Sequence, residues 1–213
     1  SGATLWLVGS GASPVGEDHI RVQVDIGEGV AATVRSVAAT MIYAARGSGT
    51  RWDTVIHVAA GARLDWSPEP VILTEHARHA ATTTVHAAAS AEVVLDEVLV
   101  LGRTEEPAGM LRSTLDVQID GTPVLLTSVD TSLPAWDGPA GVAHHRVVAN
   151  RLVLEPAVRG HVGPDAPSGE VSPRAVVLDP APGCRVTMVA ASDVAEATSA
   201  VLSALPSPRR FAV

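Results

Sequence analysis

The chain has 213 residues, of which 46% are hydrophobic and only 3% aromatic, and its formal net charge is −8. All 15 basic residues are Arg, which excludes a P-loop lysine, a Schiff-base lysine and a kinase-type ATP lysine; the acidic balance leaves no basic stripe for nucleic acid, and the scarcity of rings works against stacking on sugars or bases. The single Cys184 excludes an internal disulfide and a cysteine-rich zinc cage, and it fits a reducing compartment, so a cytoplasmic location is expected.

Near the start, Leu5 to Val8 is a brief apolar run with no basic residue before it, and the first Arg is Arg21, so no signal peptide is expected. Ile20, Val22, Val24 and Ile26 then alternate with Arg21, Gln23 and Asp25. Beyond the turn Gly27-Glu28-Gly29, the residues Val30, Ala32 and Val34 alternate in the same way, with the two-residue period of half-buried strands. The pattern returns with Ile56 and Val58, the turn Ala59-Ala60-Gly61, and Ala62, Leu64 and Trp66. A third turn is Ala88-Ala89-Ser90, and Leu115, Val117 and Ile119 lead into Asp120-Gly121, a two-residue hairpin signal. The last residues of these turns are 32, 29 and 31 positions apart, a spacing at which one supersecondary unit repeats and buries its apolar face by stacking on its neighbours.

The unit reads as a hairpin, and the chain as an all-β protein of stacked β-hairpin repeats, like a β-helix or β-solenoid, with few short helices. A single domain over 1–213 is expected, with the repeats in 15–134 and a closing region in 135–213. The longest apolar stretch, Val93 to Leu101, is interrupted by Asp96 and Glu97 and is too short to span a bilayer, so no membrane association is expected. In the closing region the regular pieces are Arg146 to Leu154 and Ala175 to Leu178. Asp193-Val194-Ala195-Glu196 has the spacing of a capped helix start, and Val194, Val201, Leu202 and Leu205 share a helical face that Pro206 ends. The tail, with Arg209-Arg210 beside Phe211, is a mobile end or a docking peptide.

Few constellations carry chemistry. His76 and His79 would share a helical face and, with Glu75, bind a borderline metal weakly; on a strand they would point to opposite faces and could not chelate together. His144-His145 has the same difficulty, and His161 sits in a Gly/Pro loop. Gly9-Ser10-Gly11 and Gly47-Ser48-Gly49-Thr50 resemble pieces of phosphate loops without completing one, and read as turns. No Gly-x-Ser-x-Gly elbow or His-Glu-x-x-His helix is present, so no catalytic residue is assigned. Asp96-Glu97, Glu105-Glu106, Asp53 and Glu69 are either a solvated strand edge that blocks aggregation or the lining of a water-filled passage.

At four places the chain resembles the UreD family of urease accessory proteins. Gly16-Glu17-Asp18 before the Ile20 strand is similar to the family's Gly-Gly-Asp. Ala39-Thr40-Met41-Ile42-Tyr43 is similar to its Ala-Thr-Lys-x-Tyr, with Met41 in place of Lys, and Ala44 stands where the family often has Arg. Trp66-Ser67-Pro68-Glu69-Pro70-Val71-Ile72-Leu73 resembles its Trp-x-Pro-x-x-x-Ile segment. Leu101-Gly102-Arg103 with Glu105-Glu106, Gly109 and Arg112 resembles its Leu-Gly-Arg stretch. The resemblance covers roughly residues 15 to 130.

It implies a β-helical protein without catalysis of its own. Such a protein bridges apo-urease to a helical accessory protein of the UreF type and, through it, to a nickel-carrying GTPase of the UreG type. It also implies transient passage of Ni²⁺ over weak oxygen and imidazole sites, with no tightly bound cofactor. Residues expected to face a partner or a passage are Tyr43, Asp53, Glu69, Asp96, Glu97, Arg103 and Glu106, with His76 and His79 as weak metal candidates. The alternative is a β-helical carbohydrate-active hydrolase or lyase, a class that builds acidic clusters on stacked strands and should show aromatic platforms.

Overall fold

The computed structural model describes residues 2–11, 13–44, 47–138, 141–156 and 175–203. His161, the helix-ending Leu205 and Pro206, and the tail around Phe211 lie outside the described residues. The described chain forms β1 (Gly2–Leu7), β2 (His19–Ile26), β3 (Ala31–Ser36), β4 (Thr40–Ile42), β5 (Thr50–Val58), β6 (Arg63–Trp66) and β7 (Val71–Leu73). These are followed by β8 (Arg78–Ala87), β9 (Glu92–Leu101), β10 (Met110–Ile119), β11 (Thr122–Asp130), β12 (Val147–Leu154), β13 (Ala175–Ala181), β14 (Cys184–Ala191) and α1 (Val194–Ser203).

The alternating segments build two sheets. A five-stranded sheet has the order β11-β10-β8-β5-β2, and a nine-stranded sheet follows β1-β3-β6-β9-β12-β14-β13, with β4 beside β7 and β7 beside β9. Strands β2, β5, β8 and β10 pair in parallel, as do β1, β3, β6 and β9. The repeating unit is therefore a solenoid coil and not a hairpin: β2 and β3 flank the first turn but lie in different sheets, β2 pairing with β5 and β3 with β6.

The turn chemistry explains the difference. A two-residue primed turn twists its flanking strands into each other's reach. Here the turns are four-residue turns of the same size but unprimed, with Val30 N–H donating to the Gly27 carbonyl at 3.2 Å and Ala62 N–H to that of Ala59 at 3.1 Å, and only the second central residue left-handed, whereas Asp120 and Gly121 are both left-handed. Gly29 and Gly61 supply the left-handed residues, at φ of 65° and 64°. The backbone then bonds to the next coil, as when Ala59 N–H donates to the Ile26 carbonyl at 3.0 Å. Asp120-Gly121 does make a hairpin, joining β10 and β11 antiparallel. The coil register keeps the sequence spacing, Ala31 lying opposite Arg63 and Arg63 opposite Glu92.

Antiparallel β12, β14 and β13 complete the nine-stranded sheet, and α1 covers part of its outer face through Ala197, Ala200 and Val201 against Val147, Ala149 and Val189. The helix start is capped as its spacing predicts: Glu196 N–H donates to Asp193 Oδ1 at 2.8 Å, and Ser192 N–H to Glu196 Oε2 at 2.9 Å. Leu202 is exposed, so small alanines rather than leucines form the packed face. No helix among the described residues is long and apolar enough to cross a membrane.

Candidate functional site

The space between the sheets holds two apolar clusters at different heights. Ile56, Leu64, Val85, Leu95 and Leu115 pack near the corners, and Ile42, Leu73, Leu99 and Leu111 pack towards the opposite strand ends. A polar layer separates them, and the two-residue strand period shows where it comes from. Along β9, Glu97 falls between Leu95 and Leu99; along β12, Asn150 falls between Val148 and Leu152; along β10, Ser113 falls between Leu111 and Leu115.

Thr83 on β8 reaches across from the facing sheet, its hydroxyl donating to Glu97 Oε1 at 2.5 Å. Asn150 stands directly opposite Glu97 in the β12·β9 ladder, and its amide hydrogen-bonds the same carboxyl. Glu97 Oε2 and Asn150 Oδ1 are shielded from solvent and have no protein partner. Burial raises the Glu97 carboxyl above its ordinary range, and the Thr83 and Asn150 hydrogen bonds offset part of that rise.

A raised carboxyl stabilises the fold below the unfolded-state pKa and withdraws that stability as pH rises through the folded-state value. Glu97→Gln, neutral and of similar shape, is therefore expected to be more stable than the native chain at pH 8, with the gap closing towards pH 4. Urea midpoints across that range check this, and parallel profiles would refute it.

Two cavities flank this layer. The inner one, about 750 Å³, is lined by Glu97, Thr83, Ser113 and His79 in its interior and by Ala38 and Tyr43 towards its mouth. The outer one, about 240 Å³, lies under α1 and is lined by Asn150, Arg151, Asp96, Ser67 and Thr198. Pro68, Glu69 and Val98 line both.

The residues singled out in the sequence separate into three groups. Glu97, Glu69 and Tyr43 line the inner cavity. Asp96 lines the outer one, where it is held by Arg151 (Nε to Oδ1 2.6 Å, Nη2 to Oδ2 2.7 Å) and by the Ser67 hydroxyl at 2.6 Å. Asp53, Arg103 and Glu106 line neither cavity. Asp53 is engaged by His19 at 2.7 Å and by Arg51 at 3.0 Å, and these partners hold its carboxyl low against the cost of burial. Arg103 and Glu106 pair with each other in the loop after β9, and the arginine's hydrogen bond holds Glu106 down at about 2.

Glu97 and Asp96 do not form a solvated strand edge. They lie on β9, which has β6 and β7 on one side and β12 on the other. The two candidate histidines are not brought together. His76 is exposed on a turn at φ 62°, whereas His79 is inside on β8, its Nδ1 2.7 Å from the Thr50 hydroxyl. Among the described residues no group of three or more His, Cys, Asp or Glu side chains converges on a point.

Sequence reasoning missed Thr83, Ser113, Asn150 and Arg151. Thr83 and Ser113 carried a signal, since each occupies an inward position of an alternating strand. Asn150 and Arg151 carried a weaker one, as polar residues inside the apolar run Val147–Leu154.

A family model described as the UreD urease accessory protein matches residues 2–209. The chain is 36% identical over 162 residues to urease accessory protein UreD 2 of Saccharopolyspora erythraea, covering 74% of this chain and 56% of that protein. It is 36% identical over 186 residues to UreD of Frankia alni, covering 78% and 62%, and 38% identical over 158 residues to UreD of Streptomyces coelicolor, covering 72% and 62%. The chain thus spans somewhat more than half the length of these relatives. On the match of nearly its whole length, the chain belongs to the UreD family of urease accessory proteins.

Proposed function

We propose that this chain is a non-catalytic scaffold of urease maturation in the cytoplasm. It bridges apo-urease to a helical accessory protein of the UreF type and, through that protein, to a nickel-carrying GTPase of the UreG type. Residues 1–213 act as one unit, and Ni²⁺ is cargo that moves through the inner cavity during GTP-dependent insertion.

The observation that carries the reading is the polar layer in an otherwise apolar interior. Its donors are a carboxylate, an amide oxygen and hydroxyls, and the His79 imidazole lines the same inner cavity. Such a set holds a borderline cation loosely, and a closed set of four good ligands would trap it. The lysine-free composition supports a partner of a GTPase rather than the GTPase itself.

The test is deletion of this gene in a urease-positive host, followed by purification of urease and measurement of its nickel content at ordinary nickel levels. Nickel-free urease, restored by re-expression of the chain, is expected. Fully nickel-loaded urease from the deletion strain would overturn the reading.

A further inference from the structure

Half of the chain's aromatic residues meet in one place: Tyr43, Trp52 and Trp66, three of the six, line the inner cavity. Trp52 comes from β5 of the five-stranded sheet and Trp66 from β6 of the nine-stranded one, so the two indoles belong to facing walls. The strand ladders show why there is room beside them. Ala81 on β8 stands between Trp52 on β5 and Ser113 on β10, and its methyl leaves the middle of that rung open. Val22, Met41, Val71 and Leu99 add apolar wall. The cation reading uses only the polar layer and gives this aromatic and apolar wall no role.

Two polar side chains are left for an occupant. His79 is 6% exposed and Ser113 5%. His79 Nδ1 is taken by the Thr50 hydroxyl at 2.7 Å, whereas His79 Nε2 and Ser113 Oγ have no hydrogen-bond partner among the described residues, and both reach open space in the cavity wall. A largely apolar cavity on the order of 300–1,000 Å³ with a few convergent polar groups is the anatomy of a small-molecule site, and this one is about 750 Å³.

The chemistry of the occupant follows from these groups. Nε2 donates or accepts according to the tautomer set by Thr50, and a hydroxyl satisfies it in either state. At neutral pH the His79 ring is uncharged, because burial lowers its pKa to about 4. It therefore offers no counterion to an anion, and Glu97 in the same wall further disfavours one. Burial in an apolar wall makes any bare charge costly.

We propose that the inner cavity binds a small uncharged aromatic molecule bearing a hydroxyl, of the phenol or naphthol class, with its ring against Trp52 and Trp66 and its hydroxyl towards His79 Nε2 and Ser113 Oγ. Such a site does not depend on the cation passage.

Calorimetric titration of the full chain with 2-naphthol at neutral pH tests it. Saturable binding of one molecule per chain is expected, and its absence overturns the site. Ala81→Trp fills the open rung and should abolish binding; undiminished binding to this variant overturns the assignment to the cavity. Where Ala81→Trp does not fold by circular dichroism, Ala38→Trp at the mouth takes its place, with the same two outcomes. His79→Phe keeps a ring and removes the polar nitrogen. It should weaken 2-naphthol by roughly 2- to 10-fold, the worth of one hydrogen bond, and leave naphthalene unchanged. Equal effects on the two probes overturn the role of His79. The anion 2-naphthoate should bind more weakly than 2-naphthol, and the reverse ranking overturns the choice of an uncharged ligand.

Discussion

Asp96→Ala is expected to lower folding stability by about 3–5 kcal/mol, because it leaves the Arg151 guanidinium charged and unpaired beneath α1. The Arg151 side chain is 8% exposed and gives two of its donor nitrogens to Asp96, while a third already lacks a partner. Without the carboxylate, the charge has no counterion and only a small cavity to admit water. The loss belongs to the broken pair rather than to the pair's own worth, since desolvation of two ions offsets much of their attraction. Asp96→Leu combined with Arg151→Met should therefore recover most of the stability. Urea unfolding of the single and double variants decides it, and a single variant within about 1 kcal/mol of the native chain would contradict the account.

Acidification is expected to destabilise the fold through His79. Burial lowers its pKa from 6.5 to about 4, and its contact with Thr50 only partly opposes this. The unfolded chain therefore binds a proton at a pH where the folded chain does not. Stability from this group is complete above pH 6.5 and falls as pH drops towards 4, by about 3 kcal/mol in all. His79→Leu removes the proton site, so the stability difference between native and variant should shift in the variant's favour across that interval. A difference independent of pH would show that His79 takes up its proton as readily folded as unfolded. Glu97 acts in the opposite sense, gaining stability towards acid, so the two groups are separated by their variants and not by the native profile alone.

The polar layer and the breaks in the nine-stranded sheet draw on the same feature of the fold. Stacked coils hold inward positions in rungs, so Glu97 and its ladder partner Asn150, met by Thr83 of the facing sheet, are enough to interrupt the apolar interior. A solenoid also tolerates breaks in one sheet, because each coil is carried by its neighbours. The break between β6 and β7 at Ser67 to Pro70 uses that tolerance, in the same segment whose Trp66, Pro68 and Ile72 carry the family resemblance.

The sequence by itself determined where the strands lie, because alternation and turn residues are local: the positions of β2, β3, β5, β6 and β10, the 32- and 29-residue coil steps, and the capped start of α1 were all legible from it. Only the tertiary structure decided which strands pair. A turn such as Gly27-Glu28-Gly29 permits either a hairpin or a corner, and the choice is made by hydrogen bonds to residues some thirty positions away. The site divides in the same way. Asp53 is out of phase with the inward Ile56 and Val58 of β5, so strand alternation puts it on the outer face of its sheet. Glu97 and Asp96 were not separable, because β9 and β12 are covered on both faces, by the facing sheet on one and by α1 on the other. In a strand buried on both sides the apolar residues run on without alternation, so parity no longer tells which acidic side chain lines the cavity and which holds Arg151.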